Sequence, residues 1–142
     1  MTAPSAPGIS SPFVGRDAEL AAIASCADAA RMERASIVWI EADAGEGKTA
    51  LARAAVARLA PDFTVHTAAA DEFGGDASLY VAQQLAPVTS SHGFSAGLEL
   101  LDAVAGWESA GPVAIVVEDL HWADALSRQA LLTAARRLAD EP

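Results

Sequence analysis

The chain carries a short run of residues whose types and spacing could hold a chain of phosphates. Gly45 and Gly47 allow the backbone to curl so that successive N–H groups point inward toward an anion. A helix predicted to start near Lys48 would add the positive end of its dipole. The Lys48 ammonium would reach the β- and γ-phosphates of a nucleotide, and the Thr49 hydroxyl would bind Mg²⁺. The residues predicted to surround the phosphates are Ala42, Asp43, Ala44, Gly45, Glu46, Gly47, Lys48, Thr49 and Ala50.

Two residues of this run depart from what an anion site favours. Ala42 stands where the phosphate-loop pattern usually has its first glycine, so its φ must be negative. Glu46 brings a carboxylate close to the place where phosphates would lie, so we expect its side chain to point to solvent. The apolar run before the loop and the alanine-rich run after it predict the strand-then-helix setting of a phosphate loop.

A second group of residues that could take part in a reaction follows the apolar run at 113–117, where Glu118 and Asp119 are adjacent. Phosphate chemistry needs a metal anchor and a group that orients water. We predict that Glu118 anchors Mg²⁺ together with Thr49 and that Asp119 orients the water. The two acids could exchange these roles, so both are metal and catalytic candidates. Because ligands bind at the carboxyl ends of parallel strands, the acids and the phosphate loop should face one site.

Strands and helices alternate along the chain, which predicts an α/β layered fold with a mostly parallel sheet. The apolar run at 36–40 does not alternate with polar residues, so we expect a strand buried on both faces, with Trp39 as a packing residue. Asp17 and Asp124 stand where their carboxylates would cap the first and last helices. The expected elements are helices from 17, over 49–60, 77–85 and 95–108 and after 124, and strands at 36–40, 63–67 and 113–117.

Apolar residues that recur at spacings of three and four predict the helices of the chain. For the helix predicted over 95–108 the recurring residues are Leu98, Leu101 and Ala105. Alanine makes up much of the apolar fraction of the chain, so helix formation and close packing of small side chains are expected.

The composition restricts the classes of function. The chain has 142 residues, enough for one domain, with 9 basic and 19 acidic residues and a formal net charge of -10. Surfaces that bind nucleic acid carry Lys and Arg stripes, so direct binding of nucleic acid by this segment is not expected. A single cysteine excludes an internal disulfide, and no run of about 18 apolar residues predicts a membrane span. The N-terminus lacks signal-peptide features, so a cytoplasmic location is expected.

Three stretches of the chain together resemble one family. They are FVGRDAEL at 13–20, ADAGEGKTAL at 42–51 and VVEDLHWAD at 116–124. The chain is similar to the N-terminal ATPase segment of large LuxR-type, MalT-like transcriptional regulators, which are signal-transduction ATPases with numerous domains, related to AAA ATPases. The resemblance implies a three-layer, phosphate-loop NTPase-like fold that binds ATP and Mg²⁺. It also implies that Phe13, Val14, Gly15 and Arg16 help to bind the adenine base.

The resemblance further implies a switch, in which ATP binding and slow hydrolysis rearrange the other domains of the regulator. Residues 1–12 are predicted to form a disordered tail, and 13–142 to form part of the ATPase domain. In this fold class a strand with a γ-phosphate sensor follows the acidic strand and lies between the two motif strands. Because the sequence ends at Pro142, we expect a fragment or a truncated product, with impaired hydrolysis and a sheet that lacks this strand.

Two other functions remain open for the same loop. A nucleotide kinase or other phosphotransferase would need an acceptor-binding lid with several Arg residues, which the 9 basic residues of the chain do not favour. A non-catalytic interaction fragment that folds poorly and binds no nucleotide would follow if the sheet cannot form without its central strand.

Overall fold

The computed structural model describes residues 15–140, in which single strands separate groups of helices. The predicted tail and the residues Phe13 and Val14 lie outside this part of the chain. No helix between 15 and 140 has the length and apolar character needed to cross a membrane. In chain order the elements are α1 (Asp17–Arg31), α2 (Lys48–Leu59), β1 (Thr64–Ala69), a 3-10 turn (Gly74–Asp76), α3 (Tyr80–Leu85), α4 (Gly93–Glu108), β2 (Val113–Glu118), a second 3-10 turn (Leu120–Trp122) and α5 (Ala125–Asp140).

The two strands form a parallel sheet, so the predicted α/β class with parallel pairing is confirmed. The register pairs Thr64 with Val113 at one end and Ala69 with Glu118 at the other. One further bond extends the ladder, because the Ala70 N–H donates to the Glu118 carbonyl oxygen at 3.0 Å. The carboxyl ends of β1 and β2 therefore lie at the same edge of the sheet, beside Glu118.

The larger of two cores lies where α3, α4 and α5 pack around the sheet. Val81 and Ala130 are completely buried in it. Small residues allow α4 and α5 to approach closely: a Cβ added at Gly97 would lie 2.6 Å from the Thr133 side chain and 2.7 Å from the Ala130 carbonyl oxygen. The small-residue packing expected from the composition is thus the main feature of this core.

The helix predicted over 95–108 is confirmed as α4, but the residues whose spacing predicted it are not the ones it buries. Leu98 and Ala105 are exposed, and Leu101 is only partly buried. The close approach of α5 can be met only by small side chains, so the face that carries Gly97 turns inward and larger residues are placed around it. The buried residues of α4 are Gly93, Ala96, Gly97, Leu100 and Val104.

A smaller core joins α1 to α2 through Leu20, Leu51 and Ala55. An ion pair extends this contact, because the Arg31 Nε donates to Asp62 Oδ2 at 2.6 Å, just after α2 ends. The hydrogen bonds from Arg31 lower the pKa of the Asp62 carboxyl. These contacts hold α1 against the helix that follows the phosphate loop.

The predicted strand at 36–40 does not form. The chain over 34–43 has no regular secondary structure, and the side chains of Ile37 and Trp39 are 59% and 63% exposed. A strand needs a neighbour to complete its backbone hydrogen bonds. Within residues 15–140 β1 and β2 pair only with each other, so this segment has no ladder partner. The prediction that Trp39 packs is wrong for the same reason; its Nε1 instead donates to Glu41 at 2.6 Å.

Of the two predicted helix caps, one is confirmed. The Asp124 carboxylate accepts a hydrogen bond from the Ser127 N–H at 2.8 Å, in the geometry of a cap at the start of α5. Asp17 does not cap α1, because Arg16 occupies the capping position and Asp17 is the first helical residue. From there its charge can still interact favourably with the helix dipole.

Candidate functional site

The loop that precedes α2 is shaped by two glycines in the left-handed conformation. The φ angles are 86° at Gly45 and 85° at Gly47. Nothing lies within 4 Å of a Cβ placed at either glycine, so the backbone angle, and not a lack of space, requires glycine there. Ala42 is not among the described residues with positive φ, so the alanine at the first position of the pattern is compatible with the turn.

Glu46 braces this loop through both its backbone and its side chain. Its N–H donates to the Asp43 carbonyl oxygen at 3.2 Å, and its Oε2 accepts from the Asp43 N–H at 2.9 Å. The side chain is exposed, as predicted, but it folds back onto the loop and does not extend into water. The Glu46 carboxylate therefore helps to hold the turn between Asp43 and Glu46, a role that the sequence did not predict.

Lys48 joins the two ends of the loop. Its Nζ donates a hydrogen bond to the Ala42 carbonyl oxygen, and its side chain is half-buried. An ordinary surface lysine leaves its ammonium in water. Here the ammonium is held beside the loop backbone, which is where a phosphate-binding lysine is needed.

The start of α2 presents backbone donors to the loop. Gly47 is the capping residue, and the first bond of the helix runs from the Leu51 N–H to the Gly47 carbonyl oxygen at 2.9 Å. Among the described residues, none accepts a hydrogen bond from the N–H groups of Lys48, Thr49 or Ala50. The Thr49 side chain is exposed. Open N–H groups and the positive end of the helix dipole make this end of α2 suited to an anion.

Arg16 contacts the loop from outside. Its Nη2 donates to the Glu46 carbonyl oxygen at 2.6 Å, and its Nη1 donates to Glu19 Oε1 at 3.1 Å. Gly15, beside it, has a φ of 96°. The contact that the structure shows for Arg16 is with the phosphate loop, and the contact with the base that the resemblance implies stays a prediction. An Arg and a Glu three residues apart at a helix start predict the ion pair, but no sequence pattern reveals the bond to a carbonyl thirty residues away.

The two predicted acids stand at the carboxyl end of β2. Glu118 is the last residue of the strand and is partly buried. Asp119 is exposed and left-handed, with a φ of 54°, a conformation that Asp tolerates better than most residues. The helix that starts at Lys48 packs against β2, but no hydrogen bond between residues 15 and 140 joins either carboxylate to the loop. Among the described residues, the packing of α2 against β2 is the contact that relates the acids to the loop.

The donor chemistry of the predicted metal site fits Mg²⁺. Two carboxylates and the Thr49 hydroxyl would supply hard oxygen ligands, which Mg²⁺ prefers to nitrogen or sulfur. In the part of the chain from 15 to 140, no three His, Cys, Asp or Glu side chains converge on one point. A Mg²⁺ ion bound here would therefore take one or two ligands from the protein and complete its shell with water and phosphate oxygens, as is usual for this ion.

The string after the acids, LHWAD, divides into two parts. His121 and Trp122 are exposed, with ring centroids 5.1 Å apart. Asp124 is buried and, besides capping α5, accepts a hydrogen bond from the Leu79 N–H at 2.8 Å. The aspartate of the string is therefore a structural residue that ties α5 to the start of α3.

A helix that opens from a glycine turn, next to a parallel sheet with acids at a strand end, is typical of phosphate-loop nucleotide-binding domains. The family comparison agrees: the model of the AAA ATPase domain matches residues 12–142. The chain belongs to this family of nucleotide-binding ATPase domains. No curated protein and no solved structure matches it.

Proposed function

We propose that this chain is the ATP-binding switch segment of a LuxR-type transcriptional regulator, with slow or impaired ATP hydrolysis. Its membership of the AAA ATPase domain family supports nucleotide binding. The stretches FVGRDAEL and VVEDLHWAD support the affiliation with the regulators. Its partners would be ATP and the other domains of the regulator.

In this proposal the triphosphate lies at the start of α2. The open N–H groups there bind phosphate oxygens, and Lys48 turns from the Ala42 carbonyl to the β- and γ-phosphates. Thr49 and Glu118 hold Mg²⁺, and Asp119 orients the water. Mg²⁺ neutralises charge on the phosphates during hydrolysis. Slow hydrolysis is what the resemblance to these regulators implies.

One observation carries the proposal. The loop combines two left-handed glycines, a lysine held on the loop backbone and three consecutive helix N–H groups without an acceptor among the described residues. Every helix leaves its first N–H groups open, so the two left-handed glycines and the ammonium held on the loop are what distinguish this helix start from an ordinary one.

Thermal unfolding with and without Mg-ATP tests the proposal. At about 100 times its dissociation constant, the nucleotide should add about 2.7 kcal/mol to the free energy of unfolding. Lys48→Ala should lose most of this gain, because the ammonium no longer reaches the phosphates. Arg53→Ala is the matched control, because Arg53 lies on the same helix, is exposed and carries the same charge.

The wild type and Arg53→Ala should therefore respond alike to Mg-ATP. If neither the wild type nor the variants respond, the chain binds no nucleotide and the proposal is wrong. Equal responses from Lys48→Ala and the wild type would place the nucleotide elsewhere. A response that requires a second substrate would favour a phosphotransferase.

The exposed apolar run favours a second candidate function, a non-catalytic interaction segment. Ile37, Val38, Trp39 and Ile40 present contiguous apolar side chains with no strand beside them in the described part of the chain. Surfaces of this kind are typical of contacts with another protein segment. The two functions are distinguished by the Mg-ATP experiment, since this one predicts no response.

A further inference from the structure

The two terminal nitrogens of the Arg16 guanidinium bind two different acceptors. One nitrogen, Nη2, binds the Glu46 carbonyl oxygen at 2.6 Å, and the other, Nη1, binds Glu19 Oε1 at 3.1 Å. A guanidinium is planar, so fixing one nitrogen on Glu19 fixes the direction in which the other one points. Glu19 in turn is held by α1, whose Leu20 packs in the core that α1 shares with α2.

The Glu46 carbonyl belongs to a peptide unit that matters for anion binding. In a planar trans peptide the C=O and the next N–H point in opposite directions. The guanidinium on the Glu46 oxygen therefore directs the Gly47 N–H to the other side, away from Arg16. No acceptor for that N–H is found among the described residues.

Without Arg16 this peptide would have an alternative orientation. Gly47 has no Cβ and is left-handed at φ 85°, so rotation of the peptide between Glu46 and Gly47 meets little steric resistance. Rotation by half a turn would present a carbonyl oxygen where a phosphate needs a donor. A charged donor on the Glu46 oxygen stabilises only one of the two orientations.

We propose that Arg16 is a positioning residue for the phosphate loop, oriented by Glu19, and that it acts by fixing the Glu46–Gly47 peptide in the orientation that binds phosphate. The assignment rests on the proposed nucleotide binding and gives this arginine a role different from the contact with the base that the resemblance implies.

The test compares two ligands, Mg-ATP and Mg-tripolyphosphate, which share the phosphate chain but not the base. Dissociation constants are measured by calorimetry for the 142-residue chain and for Arg16→Ala, Arg16→Lys and Glu19→Ala. Arg34→Ala is the control, because Arg34 is exposed and lies outside the loop. Thermal unfolding without ligand is recorded for each protein.

We expect Arg16→Ala to raise the dissociation constants of both ligands by the same factor, about tenfold, which is what one hydrogen bond to a charged donor supplies. Arg16→Lys should recover part of the loss, because an ammonium can still bind the carbonyl. Glu19→Ala should weaken both ligands by a smaller factor. The melting temperature without ligand should change little, since ion pairs that are partly exposed to solvent contribute little to stability. Arg34→Ala should bind both ligands as the wild type does.

Three results would overturn the assignment. If Arg16→Ala weakens ATP and leaves tripolyphosphate unchanged, Arg16 contacts the base. If it weakens the binding of neither ligand although the wild type binds both, the bond from Arg16 to the Glu46 carbonyl has no effect on binding, and the proposed nucleotide binding still stands. If the wild type binds neither ligand, the proposed function and this assignment fail together. Should Arg16→Ala unfold, Arg16→Lys and Glu19→Ala decide between the same outcomes.

Discussion

Replacing Asp124 by alanine should be among the most destabilising changes to a polar side chain in this fold. The carboxylate is 9% exposed, and its Oδ1 accepts from the Leu79 and Ser127 N–H groups, each at 2.8 Å. Loss of a helix cap costs about 1 kcal/mol, and a buried N–H left without a partner costs about 1–3 kcal/mol. Asp124→Ala should therefore lower the free energy of unfolding by about 2–4 kcal/mol, and Tm by about 10 °C.

Urea unfolding followed by circular dichroism measures this change. Asp102→Ala is the matched control, because Asp102 lies exposed on α4 and makes no hydrogen bond to the described residues. Its effect should stay within about 0.5 kcal/mol. If Asp124→Ala costs no more than Asp102→Ala, the carboxylate does not hold α5 to α3, and the reasoning is wrong.

The pH dependence gives a second check on Asp124. Burial raises the pKa of this carboxyl, but hydrogen bonds from Ser127 and Leu79 outweigh burial, so the pKa lies below its ordinary value of 3.8. A carboxyl with a lowered pKa in the folded state stabilises the fold fully above its ordinary pKa and loses this contribution as the pH falls through the folded value. The stability difference between the wild type and Asp124→Asn should thus be constant from pH 5 to 7 and shrink in stronger acid.

Two further changes test other contacts of the fold. Gly97→Ala should destabilise the protein by about 1–3 kcal/mol, because an added Cβ would overlap α5, whereas Gly106→Ala on the same helix has open space and should stabilise it by up to about 1 kcal/mol, as urea unfolding of both would show. Hydrogen bonds from the Ser90 side chain and the Thr89 N–H lower the pKa of the Glu99 carboxyl. Glu99→Gln should therefore lower Tm at pH 7, and the loss should become smaller as the pH falls below 4.5. Glu108→Gln is the control and should have no such effect.

Local patterns predicted most helices and both paired strands of this fold. The alanine-rich helix after the loop was expected at 49–60 and lies at Lys48–Leu59, and the apolar run at 113–117 became β2. Each of these elements carries its own signal, either a helical period or a run of β-branched residues. The strand at 36–40 carries the same kind of signal and yet does not pair. A strand depends on a partner supplied by another part of the chain, and no local pattern contains that partner.

In the candidate site, too, the local features were predictable from the sequence and the contacts between distant residues were not. The glycine turn and the lysine follow from residue type and spacing, because only glycine adopts those φ angles at low cost. The bond from Arg16 to the Glu46 carbonyl oxygen depends on how α1 packs against α2, and the sequence contains no spacing rule for a contact between residues thirty apart. The bond between the Glu46 carboxylate and the Asp43 N–H is local, since it joins residues three apart. The roles of Glu118 and Asp119 stay predictions.

The loop of the free chain is formed in advance but is occupied by its own groups. Lys48 rests on the Ala42 carbonyl, and Glu46 rests on the Asp43 N–H. A phosphate must displace Lys48 from a neutral carbonyl, and a charged phosphate oxygen is the stronger acceptor. Arg16 approaches the Glu46 carbonyl from the outer side of the turn, so this contact need not break. A net charge of -10 repels anions at long range, but this repulsion is screened beyond about 8 Å at physiological salt. Binding would therefore depend on the local amides and Lys48, so the preformed turn is the feature on which affinity rests.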